Sequence, residues 1–362
     1  QDLGIYDYQV LRRWREGANF FVELKVTFGD SKSVIPRTSD LSRHARLNWT
    51  YQTTENITTA VKTKTALALN TAQTVEVLDP ETGKRIGQYK TGLQSHDVNG
   101  DRYMVLEGDY VKVASLTKFN LFHLVFTWRK KFPNLSRYYL TKDACYLVDR
   151  SGLIHALNWE DGSLRWNLPA NSQADISEIA VERLLITLPN SELWMVDNHG
   201  VKLWAVQLGG KLLAKPIAGG DEIYCPLANG DLKVLDRDSG RTISIWKVRY
   251  EGDPRNLSLG LGEKELFLAY NTQSNRGYLQ VFHRLTGESL WKVGWDQTVI
   301  GPPLSIADLL VIGVGNRFEA RELVFGMKLW EEPTYGRITR MYRQDDGVLV
   351  ISGDRVYSYD VR

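Results

Sequence analysis

The 362-residue sequence predicts an all-β fold, an eight-bladed β-propeller of four-stranded antiparallel blades. Three observations lead to this prediction. A strand, a polar residue, a tight turn and a tryptophan recur in the same order, the recurrence is regular along the chain, and apolar residues alternate with polar ones inside each copy. The period of about 40 residues matches four short strands with their turns, an arrangement that closes into a ring. Helix-type periodicity is scarce, which argues against a helical solenoid.

The clearest copies of the repeat span residues 152–166, 191–204, 230–246 and 277–291, with weaker copies at 74–89 and 317–330. In each copy a polar anchor residue ends a strand. The anchors are Asp79, Asn158, Asp197, Asp236, His283 and Glu322, and two degenerate copies place anchors at Ser115 and Asp360, where each strand should end. These eight anchors follow one another at similar intervals, and they therefore predict eight blades.

The residue types of the repeat have physical roles. A carboxylate or amide anchor can accept hydrogen bonds from backbone N–H groups of the turn that follows it. The turn glycine suits a position with positive φ, and the tryptophan can bury about 150–250 Å² against a neighbouring blade. The predicted turn glycines are Gly83, Gly162, Gly200, Gly240, Gly287 and Gly326, and the predicted inter-blade tryptophans are Trp166, Trp204, Trp246, Trp291 and Trp330.

The last copy of the repeat ends without a turn or a tryptophan strand. Residues 46–53 (RLNWTYQT) resemble the missing piece, with Trp49 in the tryptophan position. We therefore predict that this segment pairs with the strand from Tyr357 to Val361 and closes the ring, which removes an exposed sheet edge. The propeller then covers residues 46–362, and residues 1–45 form an N-terminal extension.

The N-terminal extension contains two alternating stretches, Tyr6 to Trp14 and Phe20 to Phe28, on either side of a turn-like segment. This pattern predicts a β-hairpin. An isolated hairpin is marginally stable in water, so we expect it to pack on the propeller or on a partner.

Composition limits the function. The net charge of +2 does not favour nucleic acid or an anionic membrane as the main partner, and no apolar run is long enough for a transmembrane helix. The first residue, Gln1, indicates a processed chain and leaves open an export signal or a lipid anchor upstream. Cys145 and Cys225 are too few for a disulfide framework and are expected to be buried strand residues.

The pattern of polar anchor, Thr/Ser-Gly turn and Trp-terminated strand resembles the PQQ-like, or quinoprotein-type, β-propeller repeat. The matching residues include Leu78-Asp79 with Thr82-Gly83, Leu235-Asp236 with Ser239-Gly240, and Thr286-Gly287 with Leu290-Trp291. By length and blade number the chain is most similar to the BamB-type scaffold of bacterial outer-membrane assembly. This resemblance implies a periplasmic or outer-membrane-associated location, while a cytoplasmic one stays open.

No catalytic, cofactor or metal site is predicted. The six histidines show no HxH or HExxH spacing, and no nucleophile elbow, phosphate loop or calcium loop occurs. Many quinoprotein dehydrogenases carry adjacent cysteines at the cofactor, whereas Cys145 and Cys225 belong to different copies of the repeat.

Two basic and aromatic clusters stand outside the repeat pattern. Arg12-Arg13-Trp14-Arg15 lies in the hairpin, and Trp128-Arg129-Lys130-Lys131 ends the most degenerate blade. Arginine and tryptophan are common interface anchors, so both clusters are predicted to contact a partner. The alternative is a solvated strand end with its tryptophan buried.

The sequence therefore favours a non-catalytic scaffold that binds protein partners within a multi-subunit assembly. Two alternatives remain: a quinoprotein oxidoreductase with bound quinone and Ca²⁺, and a ligand- or carbohydrate-binding propeller with a pocket at its central channel.

Overall fold

The computed structural model describes residues 4–16, 19–29, 45–62, 66–90, 95–99, 102–120, 123–141, 144–180 and 183–361. The chain divides into two compact units, residues 1–44 and 45–362. The first unit contains β1 (Gly4–Glu16) and β2 (Asn19–Gly29), which pair antiparallel from Gly4 opposite Gly29 to Glu16 opposite Asn19. The predicted N-terminal hairpin is confirmed.

The second unit is a ring of eight four-stranded antiparallel sheets, which confirms the predicted eight-bladed propeller. Blade 1 contains β4 (Thr59–Lys62), β5 (Leu67–Asn70), β6 (Thr74–Leu78) and β7 (Arg85–Lys90), and blade 2 contains β8 (Ser95–Asn99), β9 (Arg102–Glu107), β10 (Tyr110–Asn120) and β11 (His123–Lys131). Blade 3 contains β12 (Leu135–Leu140), β13 (Ala144–Asp149), β14 (Leu153–Asn158) and β15 (Leu164–Pro169). Blade 4 contains β16 (Asp175–Ala180), β17 (Arg183–Thr187), β18 (Glu192–Asp197) and β19 (Lys202–Gln207).

Blades 5 to 8 complete the ring. Blade 5 contains β20 (Ile217–Gly219), β21 (Glu222–Pro226), β22 (Asp231–Asp236) and β23 (Thr242–Lys247), and blade 6 contains β24 (Pro254–Leu261), β25 (Glu265–Thr272), β26 (Gly277–His283) and β27 (Ser289–Trp295). Blade 7 contains β28 (Val299–Ile306), β29 (Leu309–Val314), β30 (Arg317–Glu322) and β31 (Lys328–Pro333). Blade 8, the closing blade, contains β32 (Ile338–Gln344), β33 (Gly347–Ser352) and β34 (Arg355–Asp360) together with β3 (Arg46–Gln52).

The predicted closure of the ring is confirmed, because β3 pairs antiparallel with β34 and places Trp49 opposite Ser358. Two side-chain pairs reinforce this seam: Asn48 donates to Asp360 at 2.7 Å, and Gln52 donates to Asp354 at 2.8 Å. The closing blade therefore joins the first strand of the propeller sequence to its last three.

The core of the ring lies between the blades. The second and third strands carry most of the fully buried side chains, as in β13 and β29. First strands of neighbouring blades contact one another, for example β4 with β8, β16 with β20 and β28 with β32. The first strands therefore surround the centre of the ring, and the fourth strands form its outer edge.

The inter-blade tryptophans pack on the turn glycines of the next blade. Gly83, Gly162, Gly200, Gly240, Gly287 and Gly326 all have φ between 68° and 82°. A Cβ atom added to any of them would lie less than 3.0 Å from a tryptophan ring of the preceding blade. These six positions combine a left-handed backbone with direct contact between backbone and indole, and only glycine satisfies both requirements.

The indole N–H groups of five of these six tryptophans reach backbone carbonyls in the same turns. The donor–acceptor pairs are Trp49 with Glu81 at 2.9 Å, Trp128 with Trp159 at 2.7 Å, Trp166 with Asn198 at 2.7 Å, Trp204 with Arg237 at 2.9 Å and Trp291 with Leu323 at 2.8 Å. Each pair fixes one blade to the turn between the third and fourth strands of the next.

Trp330 is different, because the blade that follows it is the closing blade. There the third and fourth strands are β34 and β3, so no tight turn connects them. The Trp330 ring is buried against Phe318, yet its indole nitrogen is buried without a hydrogen-bond partner among the described residues. Closing the ring with the N-terminal strand therefore leaves Trp330 without the kind of turn carbonyl that accepts from Trp49, Trp128, Trp166, Trp204 and Trp291.

This difference predicts unequal effects of two Trp→Phe substitutions. Trp204→Phe removes the donor to the Arg237 carbonyl and is expected to cost about 1–2 kcal/mol beyond the loss of ring volume. Trp330→Phe removes an unpaired donor and should cost less by that amount. Urea unfolding of both variants measures the difference, and equal losses of stability would show that the Trp204 bond contributes nothing.

Blade 2 departs from the repeat. We expected a strand to end at Ser115, but β10 continues to Asn120 and forms a long hairpin with β11. The reason lies in the sequence, since Phe119 stands where the repeat would place a turn glycine after Ser115. Without that glycine the strands extend past the usual turn position, and Asn120 pairs with His123 at the end of the hairpin.

Candidate partner-binding site

The first predicted cluster lies on the N-terminal hairpin. The backbone places Arg12, Arg13, Trp14 and Arg15 near the end of β1, opposite residues 20–23 of β2. The side chains of this hairpin are outside the described part of the structure. Partner contact through these residues remains a prediction.

Trp128, in the second predicted cluster, occupies an inter-blade position. Its ring packs on Gly162, and its indole N–H bonds to the Trp159 carbonyl inside the core between blades 2 and 3. A sequence signal for this role exists, because Trp128 stands as far before Gly162 as Trp49 stands before Gly83. The missing turn of blade 2 hid this alignment.

The other residues of the second cluster reach the surface. The Arg129 guanidinium stacks 3.7 Å from the centre of the Tyr110 ring, which holds the cation in place while leaving Arg129 exposed. Lys130 bonds to the Gly162 carbonyl at 3.1 Å, and Lys131 is exposed at the end of β11. Arg129 and Lys131 are therefore the members of the cluster that are available to a partner.

A cleft of about 630 Å³ begins at Phe132, the residue that follows Lys131. It lies where blade 2 meets blade 3, and its lining includes the first five residues of β12, Leu135 to Tyr139. Phe132 is fixed by its N–H bond to the Asp109 carbonyl at 2.6 Å and by an edge contact with His155 at 4.7 Å. The basic end of β11 thus leads directly into a concave surface.

Two arginines line this cleft, Arg137 on β12 and Arg150 in the turn after β13. Both are exposed, and no carboxylate of the described residues forms an ion pair with either one. Asp109 is the carboxylate that lines the same cleft. With Arg129 and Lys131 beside it, this cleft carries an excess of positive charge.

The turn next to Arg150 is held by Asp149. Burial alone would raise the pKa of Asp149, but hydrogen bonds from Ser151, His155 and Leu153 outweigh that effect and lower the pKa to about 2. The Asp149 carboxylate is therefore ionised at neutral pH, and its bonds are used within the turn. This arrangement positions Arg150 and leaves the His155–Asp149 pair with a structural role.

A second cleft, of about 500 Å³, lies between β12, β16 and β20. It shares Tyr138 and Tyr139 with the first cleft. Burial raises the pKa of Tyr139, an effect that the nearby Arg137 opposes, and the Tyr139 hydroxyl donates to the Ala174 carbonyl at 3.1 Å. Tyr139 is thus a neutral, fixed side chain where the two clefts meet.

The two cysteines of the chain are in structural positions. Cys145 and Cys225 are fully buried strand residues, as predicted, and burial raises the pKa of the Cys225 thiol to about 12. This thiol is protonated at neutral pH and unsuited to nucleophilic attack. Within the described ranges, no three His, Cys, Asp or Glu side chains come together in a group that could hold a metal ion.

Comparisons with known proteins show a resemblance to PQQ-like propellers over part of the chain. Residues 127–258 match the family model described as outer membrane protein assembly factor BamB, and the match begins at the end of blade 2 and continues into blade 6. A comparison of the sequence with curated proteins finds no match. In the described part of the chain, no helix has the length and apolar character needed to cross a membrane.

Several solved structures share the fold at low sequence identity. BamB from Moraxella catarrhalis is 14% identical with a TM-score of 0.65, and the match covers 88% of this chain and all of that one. Quinohemoprotein alcohol dehydrogenase from Comamonas testosteroni is 12% identical, has the same TM-score, and is matched over 89% of this chain and 77% of its own. Sqt1 from Saccharomyces cerevisiae is 10% identical with a TM-score of 0.66, over 88% of this chain and 99% of its own. The chain thus has an eight-bladed β-propeller fold that resembles these structures, and its residues 127–258 match the BamB-type family model.

Proposed function

We propose that this chain is a non-catalytic protein-interaction scaffold, a subunit of a larger, envelope-associated assembly. One observation carries the proposal. The exposed basic residues Arg129 and Lys131 lie beside the cleft between blades 2 and 3. This cleft is lined by two further arginines, Arg137 and Arg150, which have no ion-pair partner among the described residues. Concave, charged surfaces on a rigid ring are typical of partner-docking sites, and the family description of residues 127–258 as an assembly factor supports this reading.

The proposal predicts that charge reversal at this surface weakens binding. In an affinity capture from the native source, the full chain with Arg129→Glu and Lys131→Glu should retain about tenfold less partner than the unmodified chain at physiological salt. The difference should shrink in high salt, because exposed charges are screened. Bound proteins are identified and quantified by mass spectrometry.

A matched control reverses the same number of charges elsewhere. Arg241 and Lys264 are exposed turn residues of blades 5 and 6, and their double substitution by Glu should leave capture unchanged. An equal loss with both double variants would contradict docking at the cleft. If no stoichiometric partner is captured by the unmodified chain, the scaffold proposal itself fails.

The hairpin cluster supplies the second contact in this proposal. Arg12, Arg13 and Arg15 all lie on β1, where reversal of all three to Glu leaves the closing strand β3 intact. We expect this triple variant to lose partner while its thermal unfolding midpoint stays that of the unmodified chain. Full retention of the partner would remove the hairpin from the interface.

A further inference from the structure

The two clefts beside blade 3 form one groove along β12. Tyr138 and Tyr139 line both clefts, so the clefts meet at the middle of this strand. The first cleft runs from this point towards Asn134, and the second runs towards Thr141. The groove therefore follows β12 over its whole length.

The lining shows that the groove follows the edge of β12. A surface that lies on one face of a strand meets alternate residues, because successive side chains point to opposite faces. Every residue from Asn134 to Thr141 lines the groove, as do the consecutive segments 176–179 and 215–218. Consecutive contact of this kind is expected at an edge, where the backbone itself is reached.

The edge concerned is not paired within its blade. β12 is the first strand of blade 3 and pairs with β13 on one side, so its other edge faces the centre of the ring. The backbone N–H and C=O groups on a free edge can pair with an added strand. Neighbouring first strands β16 and β20 form the opposite wall of the second cleft.

The dimensions suit an extended peptide. The six residues of β12 span about 20 Å at about 3.3 Å per residue. The two clefts together exceed the size of most small-molecule pockets, which have volumes of about 300–1,000 Å³. A peptide strand as long as β12 therefore has the length and width to occupy this space.

The charged residues that line the groove are distributed unequally along it. Arg137 and Arg150 line the Asn134 end without a described ion-pair partner. In the second cleft, Lys215 is already engaged by Asp175 and the Ile176 carbonyl, both at 2.9 Å. Among the described residues that line the groove, the cations without a carboxylate partner thus lie in its first cleft, towards Asn134.

We propose that the groove binds an extended acidic peptide segment of a partner protein by strand addition to the free edge of β12, with its carboxylates next to Arg137 and Arg150. This inference rests on the proposed scaffold function and names the chemistry of the partner segment. The tyrosines at the centre of the groove would contact the side chains that alternate with the acidic ones.

Selection from a pool of random ten-residue peptides on the immobilised full chain tests the inference. We expect enrichment of Asp and Glu, and fluorescence anisotropy with a recovered peptide should show binding about tenfold weaker for Arg137→Glu and for Arg150→Glu. Replacing the central residue of the peptide by Pro should abolish binding, because Pro has no N–H to donate to a strand ladder. Arg241→Glu serves as the control and should bind within about twofold of the unmodified chain.

The outcomes separate this inference from the proposed function. The proposal that the peptide is acidic would be overturned if the selected pools showed no enrichment of Asp and Glu. It would also be overturned if the recovered peptides bound the Arg137→Glu and Arg150→Glu variants as tightly as the unmodified chain. Tight binding of the Pro-containing peptide would overturn strand addition. If capture of a native partner depends on Arg129 and Lys131 while these peptide results are negative, the scaffold function stands and the groove inference falls.

Discussion

Gly240→Ala is expected to lower the free energy of unfolding by about 3–4 kcal/mol, the sum of left-handed backbone strain and overlap with a packed side chain. Gly240 has a φ of 69°, and an added Cβ would lie 2.7 Å from the nearest atom of the Trp204 ring. The indole cannot move away easily, because its N–H is bonded to the Arg237 carbonyl of the same turn. The substitution therefore weakens the contact between blades 4 and 5.

Gly108→Ala is the matched control for this prediction. Gly108 has a φ of 57°, but an added Cβ would meet no atom within 4 Å. It should therefore cost only the backbone strain, about 1–2 kcal/mol. Urea unfolding of the two variants measures the difference, and similar losses would mean that the tryptophan contact tolerates a Cβ.

Arg321→Met is expected to cost about 3–5 kcal/mol, because it leaves a buried carboxylate without its cation. The Glu319 side chain is 1% exposed, and the Arg321 guanidinium lies 2.6 Å from its Oε1 atom. The Trp295 indole N–H also donates to this oxygen, at 3.2 Å. These three groups join the fourth strand of blade 6 to the third strand of blade 7.

The double variant Glu319→Gln with Arg321→Met should be more stable than Arg321→Met alone. The glutamine amide would carry no charge and would keep an acceptor for Trp295, so the main penalty of the single variant disappears. A double-mutant cycle in urea measures the coupling between the two positions. A double variant as unstable as the single one would show that lost packing of Arg321, and not the orphaned carboxylate, causes the effect.

The sequence predicted the propeller well because its repeat encodes local chemistry. Each anchor and glycine specifies a turn, and each alternating segment specifies a strand, so the order of elements follows from residues close together in the chain. The closing role of Trp49 was also predictable, since one unit lacked its last strand and residues 46–53 supplied the same pattern.

Prediction was weaker where the repeat lost its turn. The strand expected to end at Ser115 continues to Asn120, and Trp128, assigned to a partner surface, is also an inter-blade tryptophan. Both differences come from the missing glycine of blade 2. The clefts beside β12 gave no signal of their own, because their lining is drawn from blades 2 to 5.

The sequence by itself determined the fold class, the blade number, the closing strand and the turn glycines, because these depend on short-range patterns that recur from blade to blade. Only the tertiary structure decided that Arg137, Arg150, Tyr138 and Tyr139 lie along one groove. It also decided that the Trp330 indole finds no acceptor within the described part of the chain. Those properties depend on how blades from distant parts of the chain meet in the ring. A repeat predicts each blade, but the spaces between blades are set by packing across the whole closed circle.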